Sequence, residues 1–547
     1  MWQGFSHVHP GTVPVIFAGN TAMSVAVDWS IRAIIACIVI AACVIDLTHN
    51  PLKHTRKYVN FRFLNWFLVG ITYSGTYFGR YNMNVANQQR IWDVLGVDKT
   101  GFGWVITVGF IVYGVFVVIN GILVDKMGGR KATIIGAMGS AIVNVFMGIY
   151  ALFMPFKGFA NIIIICLLYA INNYFQTFCT SAICKVGVNF YNFRERGFFS
   201  GIFGVIIAFG FFLAFDVNDS IINVLHWSFL FFIPAVMMFG FAAACYFYIR
   251  STPEDAGFSP VDEESIAAAN ATAATATEDP TAPLNAPAGS VEMPKKQPKK
   301  TQDYGLPFMQ LVRKVFFNPI FILFCVIDFC VGWCRDGILS WFPSFLHDYL
   351  NIDKDSDFYH IASAGVTLGG MFGSLGAGMI SDLVFGSRRP PVAFIALIGF
   401  AGCVILIYFA GHIQWLAAFG VGLSSFFFSS VHGIITSTCA MDFAGSKATG
   451  TAVGLLDGVQ KIGSSLTGVA MAAIIGGQKP GNYGAWALSM IPGAAIGAIL
   501  VLFIINRKPP GAEKKAPAAA GYTPVPASEN ADTSINNFQG TSPAAAE

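Results

Sequence analysis

The sequence predicts an all-α polytopic membrane protein: two pseudo-symmetric six-helix bundles with one extra helix ahead of them. Three observations predict it. Only 12% of the 547 residues are charged while 55% are hydrophobic, about half the charge of a soluble chain. Apolar runs of ~19 to 25 residues recur along most of the chain, each long enough to cross a hydrocarbon core of ~30 Å. The third is an internal repeat. "GILVDKMGGRK" (121–131) returns as "GMISDLVFGSRR" (378–389), and the Gly-x-x-x-Gly of "RGFFSG" (196–201) returns in "TGTAVG" (449–454), at offsets of 253 to 257 residues. Duplicated six-helix halves are the sequence sign of a secondary transporter with its site between the halves.

Taken in order, an N-terminal segment (1–62) contains "VAVDWSIRAIIACIVIAACVI" at 25–45. Its apolar core is continuous from Ala33, although Asp28 and Arg32 weaken its start. No basic region precedes it, so it reads as a signal-anchor-like helix with an outside N-terminus, not as a cleaved signal peptide. The N-terminal bundle (63–250) holds spans near 64–86, 101–124, 132–153, 160–184, 197–217 and 227–249. Residues 251–314 are Ala/Thr/Pro-rich and nearly free of large apolar side chains, which predicts a disordered cytoplasmic linker. The C-terminal bundle (315–507) holds spans near 319–342, 361–381, 391–410, 414–440, 450–476 and 485–506. The Ala/Pro-rich tail (508–547) reads like the linker.

Basic residues crowd alternate loops, among them Lys126/Arg130/Lys131, Arg194/Arg196, Arg388/Arg389 and Arg507/Lys508, while 348–357 holds four aspartates against Lys354. The positive-inside rule then places the linker and tail in the cytoplasm and the protein in the cell membrane. The 11 cysteines lack CxxC or Cys/His metal spacing and read as free thiols. No P-loop, nucleophile elbow or metal-ligand cluster occurs, so neither a cofactor nor covalent catalysis is expected.

Two arginines interrupt the apolar pattern. Arg80 lies in span one and Arg335 in span seven, 255 residues later and so at equivalent places in the repeat. An arginine at mid-bilayer costs ~3 kcal/mol on insertion scales and ~10 or more in simulations of isolated helices. Carboxylates, a water-filled cavity or an anionic ligand must offset that. Tyr73, Tyr77, Arg80, Asn84 and Asn87 share one helical face, a stripe able to line a polar cavity. Two guanidiniums facing each other from symmetry-related helices make a dicationic clamp, and planar forks match phosphate oxygens bidentately. A phosphate monoester carries about −1.5 to −2 charge near neutral pH, enough to neutralise both. The alternative is that each arginine pairs with an acid in its own half: Asp328 lies two turns before Arg335, and the adjoining Asp336 projects about 100° away.

On these residues the chain resembles the organophosphate:phosphate antiporters of the major facilitator superfamily, the glycerol-3-phosphate and hexose-phosphate transporters. The resemblance runs from about 63 to 507. Its most specific parts are Tyr-x-x-x-Tyr-x-x-Arg (Tyr73, Tyr77, Arg80), Arg-x-Gly-Ile-Leu-x-Trp-x-Pro (Arg335 to Pro343), Arg-Glu-Arg-Gly at 194–197 and Lys-Ala-x-Gly-Thr-Ala at 447–452. It implies that Arg80 and Arg335 bind the phosphoryl group, with Tyr73, Tyr77, Asn84 and Asn189 around it. It also implies a cytoplasmic latch of Asp125 and Arg130, with Asp382 and Arg388 as its repeat. Lys185 matches a basic position of the family and would guide anions inward or snorkel to the interface. Three positions depart from the family: Val117 stands where glycerol-3-phosphate carriers have a lysine, Asn189 where they have a histidine, and Gly332 where they have a tyrosine.

Asp457 and Lys461 are four apart in span eleven, able to form an intrahelical ion pair or, as charges on that span do in hexose-phosphate members, to influence substrate choice. His432 is either a proton relay or hydrogen-bonded scaffold. The expected function is alternating-access exchange of an anionic organophosphate against inorganic phosphate. The alternatives are a transporter-like sugar-phosphate sensor, or a proton-coupled symporter of another anion with Asp328 or His432 as its proton site. Expected partners are the bilayer, a phosphorylated small molecule and inorganic phosphate. Nucleic acid is not among them, and the chain is expected to act as a monomer.

Overall fold

The computed structural model describes residues 22–48, 50, 54–86, 99–154, 158–192, 195–258, 313, 315–352, 357–386, 388–410, 412–476 and 481–506. The tail and nearly all of the linker lie outside them. The helices are α1 (Ala22–Thr48), α2 (Arg56–Val85), α3 (Lys99–Met127), α4 (Gly129–Phe153), α5 (Phe159–Phe190), α6 (Arg196–Phe212) and α7 (Phe229–Tyr248). After the linker come α8 (Pro319–Ser344), α9 (Asp357–Leu383), α10 (Pro390–Ala410), α11 (Gln414–His432) and α12 (Ala440–Ile475). The short α13 (Tyr483–Leu488) and α14 (Ile491–Leu502) follow, and a further short helix, Asn218–Val224, lies between α6 and α7.

Eleven helical stretches among the described residues are long and apolar enough to span a bilayer, including Trp29–Thr48 of the predicted extra helix. The two that fall short are α2 and α8. Every 18-residue stretch of α8 contains Asp328, Arg335 and Asp336, and α2 carries Arg62, Arg80 and four asparagines. These helices are poor spans by composition because they carry the polar centre. Their packed neighbours supply the partners that lipid cannot.

Two seams join the bundles. Along the first, α3 packs on α12 with glycines of both helices nose to nose. A Cβ on Gly121 would meet Gly450 O at 2.2 Å, and one on Gly458 would meet Gly114 O at 2.7 Å. Only glycine permits that approach. Along the second, α6 packs on α9, with Gly204 against Ser374 and Gly201 against Leu375.

The extra helix lies over this second seam, touching α6, α9 and α2. Its anchor is Asp46, wholly buried, which accepts hydrogen bonds from Trp66 Nε1 and Tyr191 Oη at 2.9 Å each. Behind it Arg62 lies 4.3 Å over the Tyr191 ring and bonds both Glu195 oxygens at 3.1 Å. Burial works against the charge on Glu195, yet the His54 hydrogen bond and the Arg62 charge hold its carboxyl below its ordinary range. Asp46→Ala leaves two buried donors unanswered, at about 1–3 kcal/mol each. The expected outcome is a lower thermal midpoint in detergent and faster maleimide labelling of Cys43. An unchanged midpoint and labelling rate would show that Asp46 does not hold α1.

Candidate functional site

Arg80 is fixed from several sides. Its Nε donates to Gln176 Oε1 at 2.6 Å, and its guanidinium lies over the rings of Tyr113 (4.5 Å) and Tyr77 (4.9 Å). The α2 backbone there is pinned to α5: Tyr169 Oη donates to Arg80 O (3.1 Å) and Asn172 Nδ2 to Gly79 O (2.8 Å). Gln176 is itself oriented by its amide, which donates to Ser140 Oγ (3.1 Å) and Asn172 Oδ1 (3.2 Å). Arg80 Nη2 makes no hydrogen bond.

Arg335 is held more lightly. Its guanidinium lies 5.4 Å over Phe211 of the opposite bundle, and Nη1 stands 3.6 Å from Asp336 Oδ1. Neither Nη1 nor Nη2 makes a hydrogen bond. Both arginines are 1% exposed. Tyr77 and Tyr81 are in electrostatic range of both, and the buried Tyr81 hydroxyl is also without a partner. The centre therefore combines two buried cations, three unanswered guanidinium nitrogens and a free phenol. Such groups are costly to bury unless a ligand completes them.

Of the predicted stripe, Tyr73 and Tyr77 are joined Oη to Oη at 3.3 Å, and Thr180 donates to Tyr73 at 3.2 Å. Tyr113 bridges Thr180 and Asp457 Oδ2, the latter at 3.0 Å. A hydroxyl chain thus runs from α12 across the seam to Arg80's own helix. Asn84 sits one turn further out, in a vestibule it lines with Ser340, Phe342 and Tyr359. The rings of Phe215 and Phe342, 6.3 Å apart, meet across the bundles at its inner wall.

Several sequence expectations change. Asp328 does not pair with Arg335: it accepts from Thr436 Oγ1 (2.9 Å) and Gln460 Nε2 (3.0 Å). The nearby acid is Asp336, which was expected to point away, because helix packing turns α8 so that both neighbours face the interior. The intrahelical Asp457–Lys461 pair does not form. Lys461 Nζ reaches across to Asp336 Oδ2 at 3.0 Å, while Asp457 takes Tyr113. Asp382 pairs with Arg389, and Arg388 instead caps Phe385 O (3.2 Å).

Asp125 does latch the bundles but not through Arg130, whose guanidinium donates to Tyr246 O. Asp125 accepts from Gly450 N (2.9 Å), Thr451 N (2.7 Å), Thr451 Oγ1 (2.8 Å) and Lys185 Nζ (2.7 Å). Lys185 also donates to Lys447 O at 3.3 Å, so it closes the seam at the basic end. Asn189 lies at that end too, donating to Ser251 O at 2.9 Å.

Two of the three departures from the family lie at close helix contacts. Val117 is buried in the first seam, where a Cβ on Gly454 would meet its carbonyl at 2.4 Å. A Cβ on Gly332 would lie 2.0 Å from Gln460 O, so no tyrosine fits there. Sequence reasoning missed Tyr81, Tyr113, Gln176 and Thr180. The i, i+4, i+8 spacing of Asn172, Gln176 and Thr180 is a polar stripe that could have flagged span four.

A buried polar centre between two repeated six-helix bundles, with hydrogen bonds joining them at one end, is the architecture of a secondary membrane transporter. The chain belongs to the Major Facilitator Superfamily, whose model matches residues 69–468; its members move solutes and are not enzymes. It is similar to the membrane sensor protein UhpC of Salmonella typhimurium, 22% identical over 84% of this chain and 96% of that protein. It is also similar to the glycerol-3-phosphate transporter of Bacillus subtilis, 24% identical over 72% of this chain and 82% of that one. The fold matches the solved proton:xylose symporter XylE bound to 6-bromo-6-deoxy-D-glucose, with a TM-score of 0.58 and 11% identity over 80% of this chain and 95% of that one.

Proposed function

We propose that this protein carries an anionic phosphate monoester across the cell membrane in exchange for inorganic phosphate, by alternating access. One observation carries the reading: guanidinium nitrogens of Arg80 and Arg335, buried on symmetry-related helices of opposite bundles, lack hydrogen-bond partners. A phosphoryl group supplies three acceptor oxygens and the compensating charge. Bridging both forks draws the bundles together and lowers the barrier to rocking. Phosphate returning on the same clamp resets it, because crossing with both guanidiniums unliganded is costly. The named substrate of the Bacillus relative, a glycerol phosphate, is of the same class.

The sensor name of the Salmonella relative supports a second reading, in which ligand binding is reported and not transported. Proteoliposomes loaded with radiolabelled phosphate test the proposal. Counterflow driven by external phosphate monoesters, and not by carboxylates, is expected. Binding without counterflow would favour the sensor. Flux that follows an imposed pH gradient and ignores internal phosphate would favour proton symport.

A further inference from the structure

The extra helix has no counterpart in the repeat. The 255-residue offset that carries Arg80 to Arg335 carries α1 onto 277–303, a polar stretch of the linker with no apolar run. Exchange through the clamp assigns α1 no task, yet it packs over the second seam. One face of it is built for that place. Ile31, Ile35, Ile38, Ala42 and Asp46 recur at three- and four-residue spacing, a single helical stripe. Ile35, Ala42 and Asp46 are buried, and Ile31 and Ile38 pack against the core. The opposite face, with Trp29, Ile34, Ile40 and Val44, is exposed, as a bilayer-facing surface requires.

The helix is fastened to the first bundle near both ends. At the basic end Asp46 holds Trp66 and Tyr191, and Arg56 Nη1 donates to Leu47 O at 2.7 Å. At the other end Arg32 Nη2 reaches Ser220 Oγ, in the short helix after α6, at 3.5 Å. The 27 residues of α1 make a rod of about 40 Å, long enough to follow the seam through the membrane. Along it α1 also touches α9, which belongs to the second bundle. One rigid element thus rides on α6 and α2 while leaning on the helix that α6 must part from.

We propose that α1 is a strap, carried by the first bundle, that holds the second seam shut. Alternating access rocks one bundle against the other, which parts α6 from α9 at one end and then at the other. Its fastenings keep α1 with α6, so when α9 leaves α6 it leaves α1 as well. Contact between α1 and α9 is then made in the sealed conformation and lost in the open ones. A contact present in one conformation alone shifts the population toward it. Lipid tails replace α9 against the stripe on opening, so close packing is lost and not shelter from water, and the bias is modest. The strap acts on the motion of the bundles, whatever the clamp binds.

Two buried cysteines of α5 read the opening without any substrate. Cys184 is within reach of Asp457 and Ser437 of the second bundle, whereas Cys179 is set inside the first bundle against Thr133 O. In proteoliposomes, the rate at which a membrane-permeant maleimide labels Cys184, followed by peptide mass spectrometry, measures parting of the bundles. Ile35→Ala and Ile38→Ala should each speed that labelling roughly three- to tenfold while Cys179 stays protected. Unchanged Cys184 labelling in both variants would overturn the strap. A variant in which Cys179 also reacts has lost its first bundle and is set aside for the other. A second arm needs neither alanine. With Cys37→Ala and Cys43→Ala, bismaleimidoethane bridging Arg32→Cys to Ser220→Cys locks α1 to the first bundle. A strap that travels with that bundle leaves Cys184 labelling the same before and after bridging. Labelling slowed severalfold by the bridge would show that α1 has to move against the first bundle, and the strap would fall.

Discussion

Arg80→Lys and Arg335→Lys should each abolish exchange or reduce it by roughly ten- to a hundredfold or more, although charge is kept. Lysine supplies a point charge and cannot make two parallel N–H···O bonds to one phosphoryl group. Loss of one charge-assisted contact costs about 1.5 to 3 kcal/mol. At position 80 the lysine also gives up the 2.6 Å bond from Nε to Gln176 and the stacking on Tyr113 and Tyr77. At position 335 it gives up two η nitrogens that have no hydrogen-bond partner in the protein, while the charge that faces Asp336 at 3.6 Å is kept. On the proposed clamp both residues face one ligand from equivalent places in the repeat, and the two defects should be of similar size. Both variants should insert normally, since the centre already houses a cation at each position. Initial-rate phosphate exchange, normalised to protein in the liposomes, is the measurement. Near wild-type rate and affinity in either variant would mean that arginine is no bidentate ligand.

Asp125→Ala should cripple turnover by a different route. Asp125 is the acceptor for two backbone amides and a hydroxyl of the opposite bundle and the counter-ion of Lys185. Removing one partner of a buried ion pair costs about 3–5 kcal/mol, because the other charge is left uncompensated. That energy is lost only from conformations with the basic end closed, so the equilibrium shifts toward opening there. The expected signature is exchange lowered by more than tenfold, phosphate binding retained, and Cys184, now buried beside Lys185, newly reactive to a membrane-permeant maleimide. Unchanged exchange together with an unreactive Cys184 would show that the latch does not govern closure.

What could be read from the sequence was what a single helix contains. Span lengths and the tyrosine face below Arg80 depend on spacing along one element, the 255-residue echo of Arg80 in Arg335 on the internal repeat, and all stand in the structure. What crossed between elements could not be read. Asp457 and Lys461 have ideal i, i+4 spacing, yet the burial of α12 against α3 and α8 offers each a better partner, Tyr113 and Asp336. Lys185 is 60 residues from Asp125, and Trp66 and Tyr191 are 20 and 145 from Asp46. No local pattern encodes those pairings.

The central claim is that Arg80 and Arg335 together hold one phosphoryl group. Equilibrium binding of radiolabelled inorganic phosphate to the purified protein in detergent tests it without depending on transport. One phosphate should bind per chain, and Arg80→Lys and Arg335→Lys should each weaken that binding by roughly ten- to a hundredfold. Two phosphates per chain, or wild-type affinity in either lysine variant, would contradict the clamp.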